Sequence, residues 1–248
     1  MIVGGVKKEN GDLEIMLPLA EYENLHTEPL IALDMLIDCQ EFAITMQKYE
    51  LAFRRWGQDH LDKKRFGLPL INLNGQLSDN PDVSLMPLDV YNRDREEKLW
   101  DNDFITATPA LNESCFDVLE PIKPYLIRSC ILKWYTNSLF YPHIDTWLPS
   151  PIIRLWGTND PENMSLRFYS KNIRSAVTQT ESGELIQPEI SVEEASKDLV
   201  RVENVEAGRL YLIDTAITHD AHAHSDKVYQ FFIALNSNSY DTIQKLKA

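Results

Sequence analysis

Short hydrophobic runs separated by turn-forming residues dominate the second half of the chain. Each run is rich in β-branched or aromatic side chains and is bounded by Pro, Gly, Asn or Ser. The runs are Leu126–Tyr135, Leu139–Asp145, Ile152–Trp156, Leu166–Tyr169, Leu210–Ile213 and Val228–Leu235. Many short strands with turn residues between them are typical of an antiparallel barrel or sandwich. The pattern therefore predicts a mainly β fold with flanking helices.

The first third of the chain has hydrophobic positions at helical spacing instead. A stripe with spacings of 4, 3, 4, 3 and 4 consists of Met35, Cys39, Phe42, Met46, Tyr49 and Phe53. Such spacing is typical of one face of an amphipathic helix. A strand is predicted at Leu68–Leu73, before the Asn74–Gly75 turn, and a short helix is predicted to begin at an Asn112 cap. We expect this part to buttress a sheet.

The length of 248 residues fits one domain, because single all-β barrels often reach this size. A hydrophobic content of 44% is enough to build a sizeable core. We expect a helical and irregular N-terminal part over residues 1–125 and a β core over residues 126–236, within a single domain over 1–248.

The charge balance bears on partners rather than on fold. With 24 basic and 38 acidic residues, the net charge is −14, which disfavours nucleic acid and anionic membranes as partners. Three cysteines without paired spacing argue against a disulfide framework and a cysteine zinc site. The N-terminal residues lack the apolar region of a signal peptide, and no run is long enough for a membrane span. A cytoplasmic location is expected, and the oligomeric state is not predicted.

A His-x-Asp pair, His143 and Asp145, is the strongest chemical signal in the chain. Because Pro142 favours extended backbone around it, both side chains are expected on one face of a strand. Two metal ligands in this arrangement leave room for a third from a later histidine group. Such a pair also occurs by chance in many sequences, and the alternative is a surface histidine beside a turn aspartate.

The order of these elements resembles that of the Fe(II)- and 2-oxoglutarate-dependent oxygenases. Within that superfamily, the runs Tyr141–Asp145 and Gly208–His219 look most like the aspartyl/asparaginyl and free-proline hydroxylase group. The resemblance covers roughly residues 126–236 and implies a double-stranded β-helix core, that is, a cupin-like jelly roll. It also implies Fe(II) as metal and 2-oxoglutarate as cosubstrate. The implied reaction is hydroxylation of an amino-acid-like substrate, either a small molecule or a peptide, with release of succinate and CO2.

The resemblance implies a metal-binding triad of His143, Asp145 and one of three later histidines. His219 is our choice because it lies five residues after Asp214 and eight before Lys227, close to the family spacing. For His222 and His224, which lie nearer to Lys227, a solvated or supporting role is expected. Two histidines and one carboxylate leave open positions on iron for cosubstrate and oxygen.

The cation that anchors the far carboxylate of 2-oxoglutarate is less clear from the sequence. The family generally uses Arg on the final barrel strand, whereas this chain offers Lys227, which cannot form a bidentate pair with a carboxylate. Arg154 is the other candidate, since hydrophobic neighbours such as Ile153 and Leu155 predict a buried strand. A buried Arg normally needs an anion, although a surface position remains the simpler alternative.

Two further hypotheses keep the β fold but change the function. One is a cupin-like metal enzyme that binds no 2-oxoglutarate and uses His219, His222 and His224 as ligands. The other is a non-catalytic β-sandwich module for binding or structure. Four aromatic residues are expected to line the barrel mouth, although such residues are more often core: Tyr135, Tyr141, Trp147 and Trp156. Arg167 and Arg174 are candidate binders of an acidic substrate and are equally compatible with a solvated role.

Overall fold

The computed structural model describes most of the chain from residue 29 onward. The described residues are 5–7, 13–15, 29–56, 65–78, 82–92, 95–136, 138–143, 152–169, 178–179, 185–186, 199–215 and 217–248. None of the helices in these ranges has the length and hydrophobicity needed to cross a membrane.

Strands make up most of the described structure. They are β1 (Gly5–Lys7), β2 (Leu13–Ile15), β3 (Leu30–Leu36), β4 (Arg54–Arg55), β5 (Arg65–Asn72), β6 (Thr106–Ala107), β7 (Leu126–Trp134), β8 (Ser138–His143), β9 (Ile152–Thr158), β10 (Met164–Tyr169), β11 (Thr178–Gln179), β12 (Leu185–Ile186), β13 (Leu199–Glu203), β14 (Arg209–Ile213), β15 (His219–Ala223) and β16 (Val228–Asn236). The α-helices are α1 (Cys39–Lys48), α2 (Leu88–Tyr91) and α3 (Tyr240–Lys245). Short 3-10 helices occupy Glu50–Ala52, Val83–Leu85, Asp101–Asp103, Pro109–Asn112, Ser114–Leu119, Lys123–Tyr125 and Ser237–Ser239.

Two antiparallel sheets form the body of the protein. The large sheet has the order β3-β14-β9-β16-β7-β5-β4, with β6 paired to β5, and the small sheet has the order β13-β10-β15-β8. From β7 to β16, successive long strands pass back and forth between the two sheets, except that β10 and β13 are neighbours within the small sheet. The orders β14-β9-β16-β7 and β13-β10-β15-β8 are those of a jelly roll. The predicted double-stranded β-helix is therefore confirmed by strand order.

Hydrophobic side chains cover both faces of the large sheet, which explains why β7 is buried at every position. Alternate residues of β7 point to opposite sides. Ile127 and Ile131 face the outer core with α1, whereas Cys130 and Leu132 face the interior between the sheets. A strand buried on both faces has a nearly continuous hydrophobic sequence rather than a clear alternation.

The N-terminal part supplies the outer layer and also extends the sheet. Helix α1 begins after Asp38, whose carboxylate accepts hydrogen bonds from the backbone N–H groups of Gln40 and Glu41. Its Phe42 ring packs edge-on against Phe231 of β16, with 5.0 Å between centroids. The helix predicted from Met35 to Phe53 is thus correct only over Cys39–Lys48.

Two differences from the predicted N-terminal elements have a physical cause in strand pairing. Met35 belongs to β3, which pairs with β14 through Leu36 and Arg209. The strand predicted at Leu68–Leu73 is longer, because β5 pairs with β7 from Arg65 onward. The short helix predicted at Asn112 is a 3-10 helix over Ser114–Leu119 without a side-chain cap.

Candidate functional site

Two of the predicted metal ligands, His143 and His219, lie side by side inside the barrel. They are direct cross-strand partners in the pairing of β8 with β15. Their ring centroids are 4.5 Å apart, and the rings are tilted by 47°. His219 is only 7% exposed and lies 6.3 Å from the Phe168 ring, which belongs to the interior core. The sequence therefore places two imidazoles together on the inner face of the small sheet.

A β-bulge in β8 brings His143 opposite His219. His219 pairs with His143, but Ala221 pairs with Phe140, so β8 carries one extra residue between these positions. The extra residue falls at Tyr141–Pro142, where proline has no N–H to donate to a regular ladder. A bulge re-aims the side chains that follow it. Pro142 thus suits a strand that must turn His143 toward its neighbour.

The ring of His219 is held by a hydrogen bond that fixes its tautomer. Its Nδ1 lies 2.9 Å from the carbonyl oxygen of Ile217. Because a carbonyl can only accept, Nδ1 carries the proton, and the lone pair of the neutral ring is on Nε2. A backbone carbonyl on the far nitrogen is the arrangement that commonly orients metal-binding histidines.

The third predicted ligand, Asp145, lies outside the described residues, as does Trp147. Within the part of the chain that the structure describes, no group of three His, Cys, Asp or Glu side chains could hold a metal ion. The triad of His143, Asp145 and His219 therefore remains a prediction, with two of its three members brought together.

His222 and His224 lie on the opposite face of the small sheet from His219. Alternation along β15 places His219 and Ala221 inward, and His222 outward beside Ser165 of β10. The His222 and His224 rings are 4.3 Å apart, and His224 Nε2 is 3.1 Å from the Ser165 hydroxyl. Burial, with smaller contributions from His224 and Arg167, lowers the pKa of His222 to about 4. These two side chains cannot share a metal with His219 through the sheet.

Arg154 projects into the barrel interior from the central strand β9. It is 6% exposed, and its guanidinium lies 4.1 Å from the centroid of the Phe232 ring. Its neighbour two residues on, Trp156, belongs to the interior core, whereas Ile153 and Leu155 belong to the outer core. The predicted burial of Arg154 is confirmed.

Arg154 lies in the same half of the barrel as the histidine pair. Strands β9 and β10 are joined by a short turn between Thr158 and Met164. Arg154 is four residues before Thr158, and Phe168 is four residues after Met164. Because Phe168 pairs with His219, both Arg154 and His219 lie toward the end of the barrel away from this turn.

Lys227 lies at the other end of the barrel. It is exposed, with a φ of 61°, in the turn between β15 and β16, and its backbone N–H donates to Trp134. Strand β15 runs away from His219 for four residues before this turn, a distance of about 13 Å. Lys227, which its spacing along the chain suggested as the anchor, therefore lies away from the histidine pair.

Aromatic side chains line the interior around Arg154 and His219. The interior core contains Trp134, Trp156 and Phe168, with Phe232 packed against it. Of the other candidates, Tyr135 is half-buried beside Phe66, with 5.7 Å between ring centroids. Arg174 and the side chain of Tyr141 lie outside the described residues.

A buried ion pair behind His219 was missed in the sequence analysis. Asp220 is 0% exposed and accepts two hydrogen bonds of 2.7 Å from Nε and Nη2 of Arg167. The Tyr169 hydroxyl donates to the same carboxylate at 2.6 Å. Burial would lower the pKa of Arg167, but its bonds to Asp220 raise it, as expected for an ionised pair. Only the register of β10 against β15 reveals these contacts, because Arg167 and Asp220 are far apart in sequence.

Comparisons with known proteins find only distant similarity. No protein-family model and no curated protein sequence matches the chain. Among solved structures, an oxidoreductase of the 2OG-Fe(II) oxygenase family from Burkholderia pseudomallei is 10% identical, with a TM-score of 0.39 and coverage of 89% of this chain and 91% of that chain. HygX from Streptomyces hygroscopicus, with nickel, 2-oxoglutarate and hygromycin B bound, is 12% identical, with a TM-score of 0.45 and coverage of 89% and 88%. The alpha ketoglutarate dependent epimerase SnoN from nogalamycin biosynthesis is 12% identical, with a TM-score of 0.42 and coverage of 89% and 85%. Such low values assign no activity, and the fold assignment rests on the strand order.

Proposed function

We propose that this chain is an Fe(II)- and 2-oxoglutarate-dependent oxygenase. The observation that carries the proposal is the pairing of His143 with His219 on the inner face of a jelly roll. In the sequence, Asp145 follows His143 by two residues and would supply a carboxylate to the same site. Two imidazoles and one carboxylate with open positions are the donor set that suits non-haem Fe(II).

The histidine pair has the chemistry that a divalent metal requires. The Nδ1–H group of His219 donates to Ile217, which leaves the lone pair of the neutral ring on Nε2. The neighbouring His143 ring is close enough to share a metal ion. Together with Asp145, which the sequence predicts as the carboxylate ligand, His143 and His219 would therefore hold the iron. Bound Fe(II) and 2-oxoglutarate would supply O2 activation and insertion of oxygen into a C–H bond, with release of succinate and CO2.

Arg154 is our proposed anchor for the far carboxylate of 2-oxoglutarate. It is buried in the interior, in the same half of the barrel as the histidine pair, and its fork of N–H donors matches a carboxylate. Its strand is next to the final strand β16, where Ala234 pairs with Arg154. Lys227 is exposed in the turn that begins β16. We therefore favour Arg154 over Lys227.

The interior side chains would limit the water around this site. Trp156 is 3% exposed and Phe168 is 2% exposed, and both lie between the sheets near Arg154 and His219. Apolar walls strengthen the pairing of a guanidinium with a bound carboxylate, because they lower the local dielectric. They would also keep solvent away from a reactive oxidant.

An amino-acid-like substrate, free or within a peptide, is our proposal for the target. It rests on the similarity of Tyr141–Asp145 and Gly208–His219 to the aspartyl/asparaginyl and free-proline hydroxylase group. Fold alone does not fix a substrate, and jelly rolls serve many. The position hydroxylated is left to product analysis.

The proposal is tested by anaerobic Fe(II) titration followed by 2-oxoglutarate. We expect tight metal binding, then a visible charge-transfer band when 2-oxoglutarate chelates the iron. Air and ascorbate should then release labelled CO2 from 2-oxoglutarate labelled at its first carbon. His143→Ala should lose the band and the CO2, whereas the exposed His224→Ala should keep both.

Three results would contradict this proposal. Metal binding without any 2-oxoglutarate binding would favour a cupin-like metal enzyme instead. No metal binding at all would favour a non-catalytic jelly-roll module. CO2 release that is unchanged in His143→Ala would place the chemistry at another site.

A further inference from the structure

The outer face of the small sheet carries a closed polar network directly behind His219. Asp220 is fully buried between the guanidinium of Arg167 and the hydroxyl of Tyr169. All three bonds are 2.6–2.7 Å long. A buried carboxylate with three charge-assisted or short hydrogen bonds is strongly ordered, because loss of the Arg167 bonds would leave its buried charge without compensation.

This network joins β10 and β15 next to the position of His219. Arg167 pairs with Asp220, and the adjacent residues Phe168 and His219 pair on the inner face. The backbone N–H of Tyr169 donates to the carbonyl of Thr218, one residue before His219. The side-chain contacts of Asp220 and the backbone hydrogen bond at Thr218 therefore flank His219 on both sides along β15.

The opposite neighbour of β15 offers less positional support. The register of β8 shifts between His219 and Ala221, where the bulge at Tyr141–Pro142 interrupts the ladder. The β10 side is regular from Met164 to Phe168. The position of the His219 backbone is thus determined mainly by β10, and its ring by the bond from Nδ1 to Ile217.

We propose that Asp220, Arg167 and Tyr169 form a positioning network that holds His219 in place for metal binding. This inference rests on the proposed function, because it assumes that His219 is a metal ligand. The side chains of the network project from the outer face of the small sheet, whereas the two imidazoles project from the inner face. The network acts through the strand, by fixing the backbone from which the imidazole projects, as supporting partners of metal ligands do.

The test measures Ni²⁺ affinity by calorimetry in Asp220→Asn and Tyr169→Phe, beside thermal unfolding of the metal-free proteins. Loss of a supporting partner typically weakens metal binding by about 10- to 100-fold. We expect this loss for Asp220→Asn and a smaller one for Tyr169→Phe, which retains the Arg167 pair. The Co²⁺ absorption spectrum should change in both variants, because the ligand geometry changes.

Lys133→Met is the matched control. Lys133 is a buried cation paired with Glu50 at 2.8 Å, on the outer face of the large sheet, away from the histidines. Its loss should lower stability without changing Ni²⁺ affinity or the Co²⁺ spectrum. A merely structural role for the network would make Asp220→Asn behave like this control.

Three outcomes are distinguishable. Unchanged Ni²⁺ affinity in Asp220→Asn, with normal binding in the wild type, overturns the positioning role alone. No Ni²⁺ binding in the wild type overturns the proposed function, and with it this inference. If Asp220→Asn does not fold, Tyr169→Phe decides, since it removes only one hydroxyl: wild-type affinity and spectrum would contradict the network.

Discussion

The two faces of strand β15 carry opposite kinds of chemistry. The inner face presents His219 beside His143, followed by the small side chains of Ala221 and Ala223. The outer face presents Asp220, whose charge is matched by Arg167 within the protein. Small neighbours leave an imidazole room to accept a metal, whereas a matched ion pair is already complete. The difference suggests a binding role for the inner face and a supporting role for the outer face.

Two arginines of the barrel strands face opposite sides. Arg167 projects outward from the small sheet and forms a bidentate pair with Asp220. Arg154 projects inward from the large sheet, where it is buried and lies against the Phe232 ring. The first arginine joins two strands of the small sheet, and the second faces the interior in which we propose that 2-oxoglutarate binds.

The largest expected effect comes from removing the inner-face histidine. His219→Ala should abolish Ni²⁺ binding, because it removes one of the imidazole donors of the site. The double variant His222→Ala/His224→Ala should retain it, since these rings lie on the outer face. Calorimetric titration of the three proteins measures the difference. If the double variant lost binding and His219→Ala did not, the assignment of the two faces would be reversed.

Breaking the outer-face ion pair should have the next largest effect. Asp220→Ala leaves the Arg167 guanidinium, which is 17% exposed, without its carboxylate, and should cost about 3 kcal/mol of unfolding free energy. Urea denaturation measures this cost. The control is Glu206→Ala, in the surface pair of Glu206 with Arg209, where the loss should be below about 1 kcal/mol. Equal losses in both variants would contradict a closed network at Asp220.

The jelly roll could be predicted from the sequence because strand periodicity and turn residues are local signals. The helix predicted over Met35–Phe53 is too long because a local hydrophobic pattern can fit a helix and a strand at the same time. Leu33, Met35 and Ile37 are all buried with a period of two, as in a strand, and Met35 also fits the helical stripe. A residue that fits two periods is assigned only by its pairing partner, here β14.

The two predicted imidazoles come together, although different signals identified them. His143 was identified from the local His-x-Asp pattern and His219 from its chain distances to Asp214 and Lys227, and the structure places their ring centroids 4.5 Å apart. Lys227 was chosen by its distance along the chain, but chain distance does not show at which end of a barrel a turn lies. The pairing of Asp220 with Arg167 depends on the register of two strands, for which the sequence carries no local signal.

Removing the inner-face arginine should weaken 2-oxoglutarate binding. Arg154→Met keeps much of the side-chain volume but loses the charge, and loss of a hydrogen-bonded charge costs about 1.5–3 kcal/mol, or roughly 10- to 100-fold in Kd. Titration of 2-oxoglutarate into the Ni²⁺-loaded protein measures this change. Lys227→Met is the matched control and should bind normally, since Lys227 is exposed. Weaker binding in the control alone would assign the anchor to Lys227.

The smallest expected effect concerns the stability of the fold at alkaline pH, to which the Tyr169 hydroxyl on the outer face of the small sheet contributes. Burial, together with the hydrogen bond to Asp220, raises the pKa of Tyr169 above its ordinary value of 10.0. The unfolded chain therefore loses this proton first, so the stability that Tyr169 contributes is present below about pH 10 and is lost as the pH rises above it.

Tyr169→Phe should accordingly reduce the loss of unfolding free energy between about pH 9 and about pH 11 by about 1 kcal/mol. Part of the loss should remain, because burial also raises the pKa of Tyr229 and of the Cys130 thiol to about 12. Phe168→Leu, one residue away on the inner face, removes no titrating group and should leave the pH dependence unchanged. Urea denaturation at both pH values measures these slopes. An equal slope in Tyr169→Phe and the wild type would mean that the outer-face hydroxyl is not held by Asp220 in solution.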